Sequence, residues 1–133
     1  LFFLIGYAEV YFYQHYQIKL KPVNLKQTTD EYENQLNLAK TLCESCSGPR
    51  YLSGLAKLGR YRITKNNELL NEAQKEFSEA LVRNVYNPKI NILQGDIYLL
   101  QGNKKDARQS YKMAMKHPWF TLQAKDKLNT FAK

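Results

Sequence analysis

Residues 88–118 read PKINILQGDIYLLQGNKKDARQSYKMAMKHP. A first helix carries Gly95 and Tyr98, Gly102-Asn103 makes a turn, and a second helix carries Ala107, Tyr111 and Ala114 before His117-Pro118 stops it. Gly95, Ala107 and Ala114 let neighbouring helices approach closely, and Tyr98 and Tyr111 fill the space between them. Gly102 accepts the positive φ of a helix C-terminus. Working outward, Ala107 has counterparts 34 residues apart at Ala73 and Ala39. Each is followed four residues on by Tyr111, Phe77 or Cys43, and seven on by Ala114, Ala80 or Cys46. A fixed period of this length marks a helix-turn-helix solenoid, in which a unit buries its apolar face only by stacking on its neighbours.

The stretch resembles a tetratricopeptide repeat, whose pattern sets a small residue and then an aromatic in the first helix, a Gly turn, and Ala, aromatic and Ala in the second. The Trp and Leu that usually open the first helix are Asn91 and Gln94 here, with apolar bulk nearby from Ile92 and Leu93. The unit before it, about Tyr51 to Val85, is a looser copy built on Leu58-Gly59, Ala73, Phe77 and Ala80. Gly59 lies 36 residues before Gly95 while the later landmarks keep 34, so the turn at Lys65-Asn66-Asn67-Glu68 is expected to be about two residues longer. Asp30 to Cys46 aligns with a second helix only. Thr29 is its expected N-cap, with Asp30, Glu31 and Glu33 at the positive end of the dipole. A partner first helix directly before it would have to cross Pro22. The resemblance covers Asp30 to Lys133.

A final helix from Trp119 to about Phe131 is expected to set Trp119 and Leu122, together with Leu128 and Phe131, against the last repeat. Its Gln123, Lys125, Asp126, Lys127 and Asn129 stay wet, as a terminal cap requires. The 133 residues suffice for one domain with a core; six Gly and four Pro fall mainly at the proposed helix ends. No alternating run argues for a sheet. The expected fold is all-α: a short α-solenoid of antiparallel helix pairs over residues 30–133, with a C-terminal capping helix, a linker at 19–29 and an N-terminal apolar helix at 1–18.

That N-terminal stretch is apolar from Leu1 to Ala8, is interrupted by Glu9, and is rich in Tyr and Phe from Val10 to Tyr16. A spanning helix needs about 20 mostly apolar residues. The sequence starts at Leu1 rather than Met, and the stretch reads as the second half of a transmembrane helix, with Tyr7, Tyr11, Phe12, Tyr13 and Tyr16 as an interfacial aromatic belt. The competing reading is an amphipathic helix that packs on the solenoid as its missing first helix.

Residues 1–50 carry five basic and five acidic side chains, so the net charge of +8 resides in residues 51–133. Lys104, Arg108, Lys112 and Lys116 form a basic stripe along one helix. It faces away from Ala107, Tyr111 and Ala114, as a solvated helix back does; the functional alternatives are anionic lipid headgroups and acidic partner segments. Without an interleaved aromatic platform the stripe argues against nucleic acid. The family resemblance implies a peptide groove lined by first helices. By register it comprises Ser53, Ala56, Arg60, Ile63 and Thr64 from one unit and Lys89, Ile92, Asp96, Leu99 and Leu100 from the next. Only Arg60 and Lys89 are cationic there, so the groove suits a mixed apolar and polar segment better than a C-terminal carboxylate.

Cys43 and Cys46 make a single C-x-x-C with no second pair or His to complete a zinc site. Their register makes them buried small hydrophobes; a local disulfide is the alternative in an oxidising compartment. His15 and His117 are the only histidines. No nucleophile-base order, carboxylate pair, phosphate loop or metal cluster emerges, so neither catalysis nor a cofactor is expected. Glu72, Glu76 and Glu79 share a helix with Lys75 and Arg83 and read as surface salt bridges. The expected function is a protein-interaction or scaffold module, tethered to a membrane as adaptor or accessory subunit of a membrane complex. The alternative is a soluble structural subunit whose N-terminal helix packs within a larger assembly.

Overall fold

The computed structural model describes residues 30–85 and 87–132, which form helices and no strand. In order they are α1 Asp30–Leu42, α2 Gly48–Thr64, α3 Asn67–Arg83, α4 Pro88–Leu100, α5 Lys104–Met115 and α6 Thr121–Ala132. The all-α expectation is met. The expected N-terminal helix, the linker and the Thr29 cap lie outside the described residues.

Local chemistry sets the helix boundaries around α3, α4 and α5. The Asn87 side chain accepts from the Lys89 N–H and Pro88 opens α4, where a missing N–H costs nothing. Gly102 takes φ 78° after α4. The Asn103 side chain then accepts from the Asp106 N–H while its own amide donates to the Asp106 carboxylate. Between α2 and α3 only Lys65 and Asn66 intervene, with Lys65 left-handed at φ 57° and Asn66 Oδ1 accepting from the Glu68 N–H. The turn expected to be longer is therefore short. Helix α3 gains three residues at its start, because Asn66 caps a helix that begins six residues before Ala73 whereas α5 begins three before Ala107, and the turn before it is one residue shorter than the one before α5, which leaves the net two.

Two compact units divide after Glu76. In the first, α1 packs on α2, with Leu36, Ala39, Ala56, Leu58, Leu70 and Ala73 buried. Ion pairs link its three helices: Arg60 with Glu33, Lys57 with Glu72, and Lys40 with Glu76 at 2.6 Å. The first two are partly exposed and worth at most about 1 kcal/mol each. Lys40–Glu76 is mostly buried, and Lys40 also donates to Ser53 Oγ. Loss of either partner there strands a charge.

Cys43 and Cys46 lie beyond the end of α1 and form a disulfide, with Cα atoms 5.3 Å apart. Helix α1 stops at Leu42, so the helical register that would have made both cysteines packing residues does not reach them; Cys46 is nonetheless buried. Closing so short a loop restricts the unfolded chain by about 2 kcal/mol.

The second unit contains the end of α3 with α4, α5 and α6; α5 packs on both α4 and α6. Its core joins Ile92, Ala107, Tyr111, Ala114 and Ala124, with Tyr98, Leu99, Met115, Phe120 and Leu128 packed around it. Helix α4 is buried on several sides, and its unusual polar residues are satisfied. Gln94 donates to Ser78 Oγ at 3.0 Å and Asn91 to the Asn87 carbonyl. The face expected of the C-terminal helix needs correction. Trp119 and Leu122 are 87% and 72% exposed. The helix starts at Thr121, whose hydroxyl donates to the Met115 and His117 carbonyls, and this turns the line Phe120, Ala124, Leu128 inward at four-residue spacing. The Phe131 side chain lies outside the described residues.

A Cβ added to Gly95 would stand 2.5 Å from Tyr111 Cε1 and 2.8 Å from Cδ1 and Cζ. The ring is fully buried and cannot swing aside. Ala is the better helix former by about 1 kcal/mol, yet overpacking costs about 1–3 kcal/mol, so Gly95→Ala is expected to lower stability in urea unfolding. Adding Tyr111→Leu should make the pair less destabilised than the sum of the two single changes. Additive losses would show that the two residues do not touch.

Candidate interaction surfaces

The positions assigned by register to a groove fall into different environments. In the first unit Ser53 and Ala56 are buried, Arg60 is paired with Glu33, and Ile63 and Thr64 are exposed. In the second, Lys89 and Leu100 are exposed, Leu99 packs against the core, and Ile92 belongs to it at 4% exposure. Asp96 accepts from the Tyr111 hydroxyl at 2.6 Å and from Lys127 Nζ at 2.9 Å. Lys127 comes from α6, so the third helix of this unit reaches the stretch of α4 that the register leaves open. Among the eight residues Ala56, Arg60, Ile63, Lys89, Ile92, Asp96, Leu99 and Leu100, a partner can reach the side chains of Ile63, Lys89 and Leu100 without disturbing a core or an ion pair.

The basic stripe is exposed throughout: Lys104, Arg108, Lys112 and Lys116 all face solvent, as does Lys105. Its helix is amphipathic, with Ala107, Ser110, Tyr111 and Ala114 buried on the other side. Among the described residues neither Lys112 nor Lys116 is in an ion pair.

Two hollows accompany these surfaces. One, of about 290 Å³, opens where the start of α4 meets the end of α5 and is lined by Val85, Pro88, Asn91, Met113, Lys116 and His117. The other, of about 420 Å³, is polar and lies between α1 and the start of α2, lined by Asn37, Lys40, Thr41, Glu44 and Arg50. The acids expected to make surface pairs along α3 divide: Glu79 pairs with Arg83 in its own helix, whereas Glu72 and Glu76 pair with Lys57 and Lys40 from other helices. The hydrogen bond from Lys57 holds the Glu72 carboxyl below its usual range, against the opposing effect of burial. The Arg50 Nε and Glu76 Oε2 atoms are buried without a hydrogen-bond partner among the described residues.

Sequence reasoning missed Val85 and Met113 as surface features. Met113 alone carried a signal, as an apolar residue on a helix whose outer face is otherwise polar and largely basic, one position before the buried Ala114. A regular packing period draws attention to residues that keep it, and Met113 does not.

Comparison with known protein families, curated proteins and solved structures finds no match.

Burial, then the hydrogen bond to Asp96 and its negative charge, push the Tyr111 hydroxyl well above the ordinary phenol value of 10.0. Unfolded Tyr111 releases its proton above about pH 10, whereas the folded side chain keeps it. The unfolded state then binds fewer protons, so this contribution is complete below pH 10 and declines as pH rises beyond it. Tyr111→Phe removes a bond to a charged acceptor and is expected to cost about 1.5–3 kcal/mol near neutrality. Thermal melts followed by circular dichroism at about pH 8 and about pH 11 should show the gap between wild type and Tyr111→Phe narrowing at the higher pH. A gap that stays constant would place Tyr111 outside the titration.

Proposed function

We propose that the chain is a non-catalytic protein-interaction module, a short α-solenoid of tetratricopeptide-like helix pairs. Its N-terminal segment holds it at a membrane, where it serves as adaptor or accessory subunit of a membrane-associated complex. The observation that carries the reading is the interlock of Gly95 with Tyr111 between α4 and α5. It gives a physical reason for a small residue facing an aromatic at this spacing, and the 34-residue alanines Ala39, Ala73 and Ala107 are buried as close-packing positions should be. Such scaffolds present side chains rather than assemble reactive groups. The acids here have structural partners: Asp96 serves Tyr111 and Lys127, Glu76 serves Lys40, and Asp106 serves the α5 cap. The apolar side chains of Ile63 and Leu100 stand exposed. Among the described residues no helix is long and apolar enough to cross a membrane, so the tether rests on the composition of Leu1 to Tyr16. The Cys43–Cys46 disulfide suits a domain facing an oxidising compartment.

The second reading, a soluble structural subunit within a larger assembly, draws on Trp119 and Leu122. Both are large, apolar and exposed at the start of α6, where a neighbouring subunit could cover them.

Deleting Leu1 to Tyr16 separates the two. The tethered module should move from the membrane pellet to the supernatant and keep its helical circular dichroism and cooperative melt. In a pull-down from native membranes, Leu100→Asp, at an exposed position, should weaken partner capture at least tenfold, about 1.4 kcal/mol. A truncated chain that melts without cooperativity would assign the segment to the folded body and favour the structural subunit. Capture unaffected by Leu100→Asp would remove the groove from the reading.

A further inference from the structure

We infer that the hollow between the start of α4 and the end of α5 is a docking site for an acidic protein segment, which inserts one large apolar side chain beside Val85, Pro88 and Met113 and sets its carboxylates against Lys112, Lys116 and His117. The inference rests on the reading of the chain as a protein-interaction module and names the partner's chemistry.

The lining comes first. At about 290 Å³ the hollow is at the small end of the range for ligand pockets, roughly 300–1,000 Å³. That size suits a side chain or two of a peptide better than a whole cofactor. Val85, in the connection before α4, and Met113, on α5, are 59% and 40% exposed, so apolar surface is left open on both sides of the hollow. Covering it with a matching side chain would yield roughly 25 cal/mol for each Å² removed from water.

Residues 77–133 hold ten Lys or Arg against four Asp or Glu. Three of the four acids are already engaged: Glu79 with Arg83, Asp96 with Tyr111 and Lys127, and Asp106 in the α5 cap. The cations near the hollow are not so engaged: among the described residues Lys112 and Lys116 are in no ion pair. An apolar hollow lined by Lys116, with Lys112 one turn before it on α5, selects a segment in which Asp or Glu flank Phe, Leu or Met. An anionic membrane would use the stripe alone and has no need of a concave apolar site; the hollow decides between them.

The probes are fluorescein-labelled dodecapeptides of Ser, Asp and Glu with Phe-x-x-Leu at the centre, titrated against the full chain by fluorescence polarisation. Two control peptides replace the apolar pair by Ala, or every acid by Lys. The parent peptide should bind at least tenfold more tightly than either control, and its affinity should fall between low and physiological salt. Met113→Glu should abolish the advantage over the Ala peptide. The double change Lys112→Glu with Lys116→Glu should weaken the parent peptide and strengthen the Lys peptide, a reversal that mere unfolding cannot produce. Equal binding of the parent and Ala peptides, or indifference to Met113→Glu, overturns the apolar anchor and with it the proposal. No peptide binding together with capture by phosphatidylglycerol vesicles that is lost in the double variant overturns it in favour of a lipid surface. No binding to peptides or vesicles also overturns it, and the interaction-module reading then stands or falls separately on the Leu100→Asp pull-down.

Discussion

The second unit depends on one close approach. Gly95 has no side chain, and the Tyr111 ring occupies the space a Cβ would need. This brings α4 and α5 near enough for the Tyr111 hydroxyl to reach Asp96, and Asp96 in turn accepts from Lys127 of α6. One missing methyl group thus allows a contact that organises three helices. The arrangement is polar at one end and apolar at the other. The ring joins Ile92, Ala107, Ala114 and Ala124 in the core, and its hydroxyl finds an acceptor that leaves no buried donor unmet.

The features legible in the sequence were those whose cause lies within a few residues or repeats at a fixed interval. Gly102 after α4, Pro88 at its start and the small-aromatic-small face of α5 could all be read because backbone conformation and helical period determine them. The burial of Ala73, Ala80, Ala107 and Ala114 follows from the same period. What escaped was decided by boundaries. Starting α6 at Thr121 leaves Trp119 outside the helix and exposed, and the inward line of the helix runs through Phe120, Ala124 and Leu128 rather than through Leu122. Ending α1 at Leu42 rather than carrying it to Cys46 changes two packing residues into a disulfide.

The surfaces were less legible than the fold. The basic stripe was visible because four-residue spacing of Lys and Arg puts them on one face, and that face is exposed. The groove was carried over from a family register, and a register specifies position along a helix without specifying what covers it. Ile92 and Asp96 show the difference: one lies in the core and the other is engaged from α5 and α6. The hollow at Val85 and Met113 had no sequence signature of its own, since its two walls are 28 residues apart and neither residue keeps the packing period.

The two units are held by different physics. In the first, Arg60–Glu33, Lys57–Glu72 and Lys40–Glu76 tie α1, α2 and the start of α3 in pairs, and the disulfide closes the link between α1 and α2. The exposed pairs among these weaken with salt. In the second, the dominant contact is apolar close packing around Tyr111, which salt does not screen and whose hydroxyl contribution declines in alkali. The surplus positive charge of the second unit follows from that division. Apolar packing leaves its lysines with few acids to pair with inside the unit, and they remain on the surface, where a partner of opposite charge can meet them.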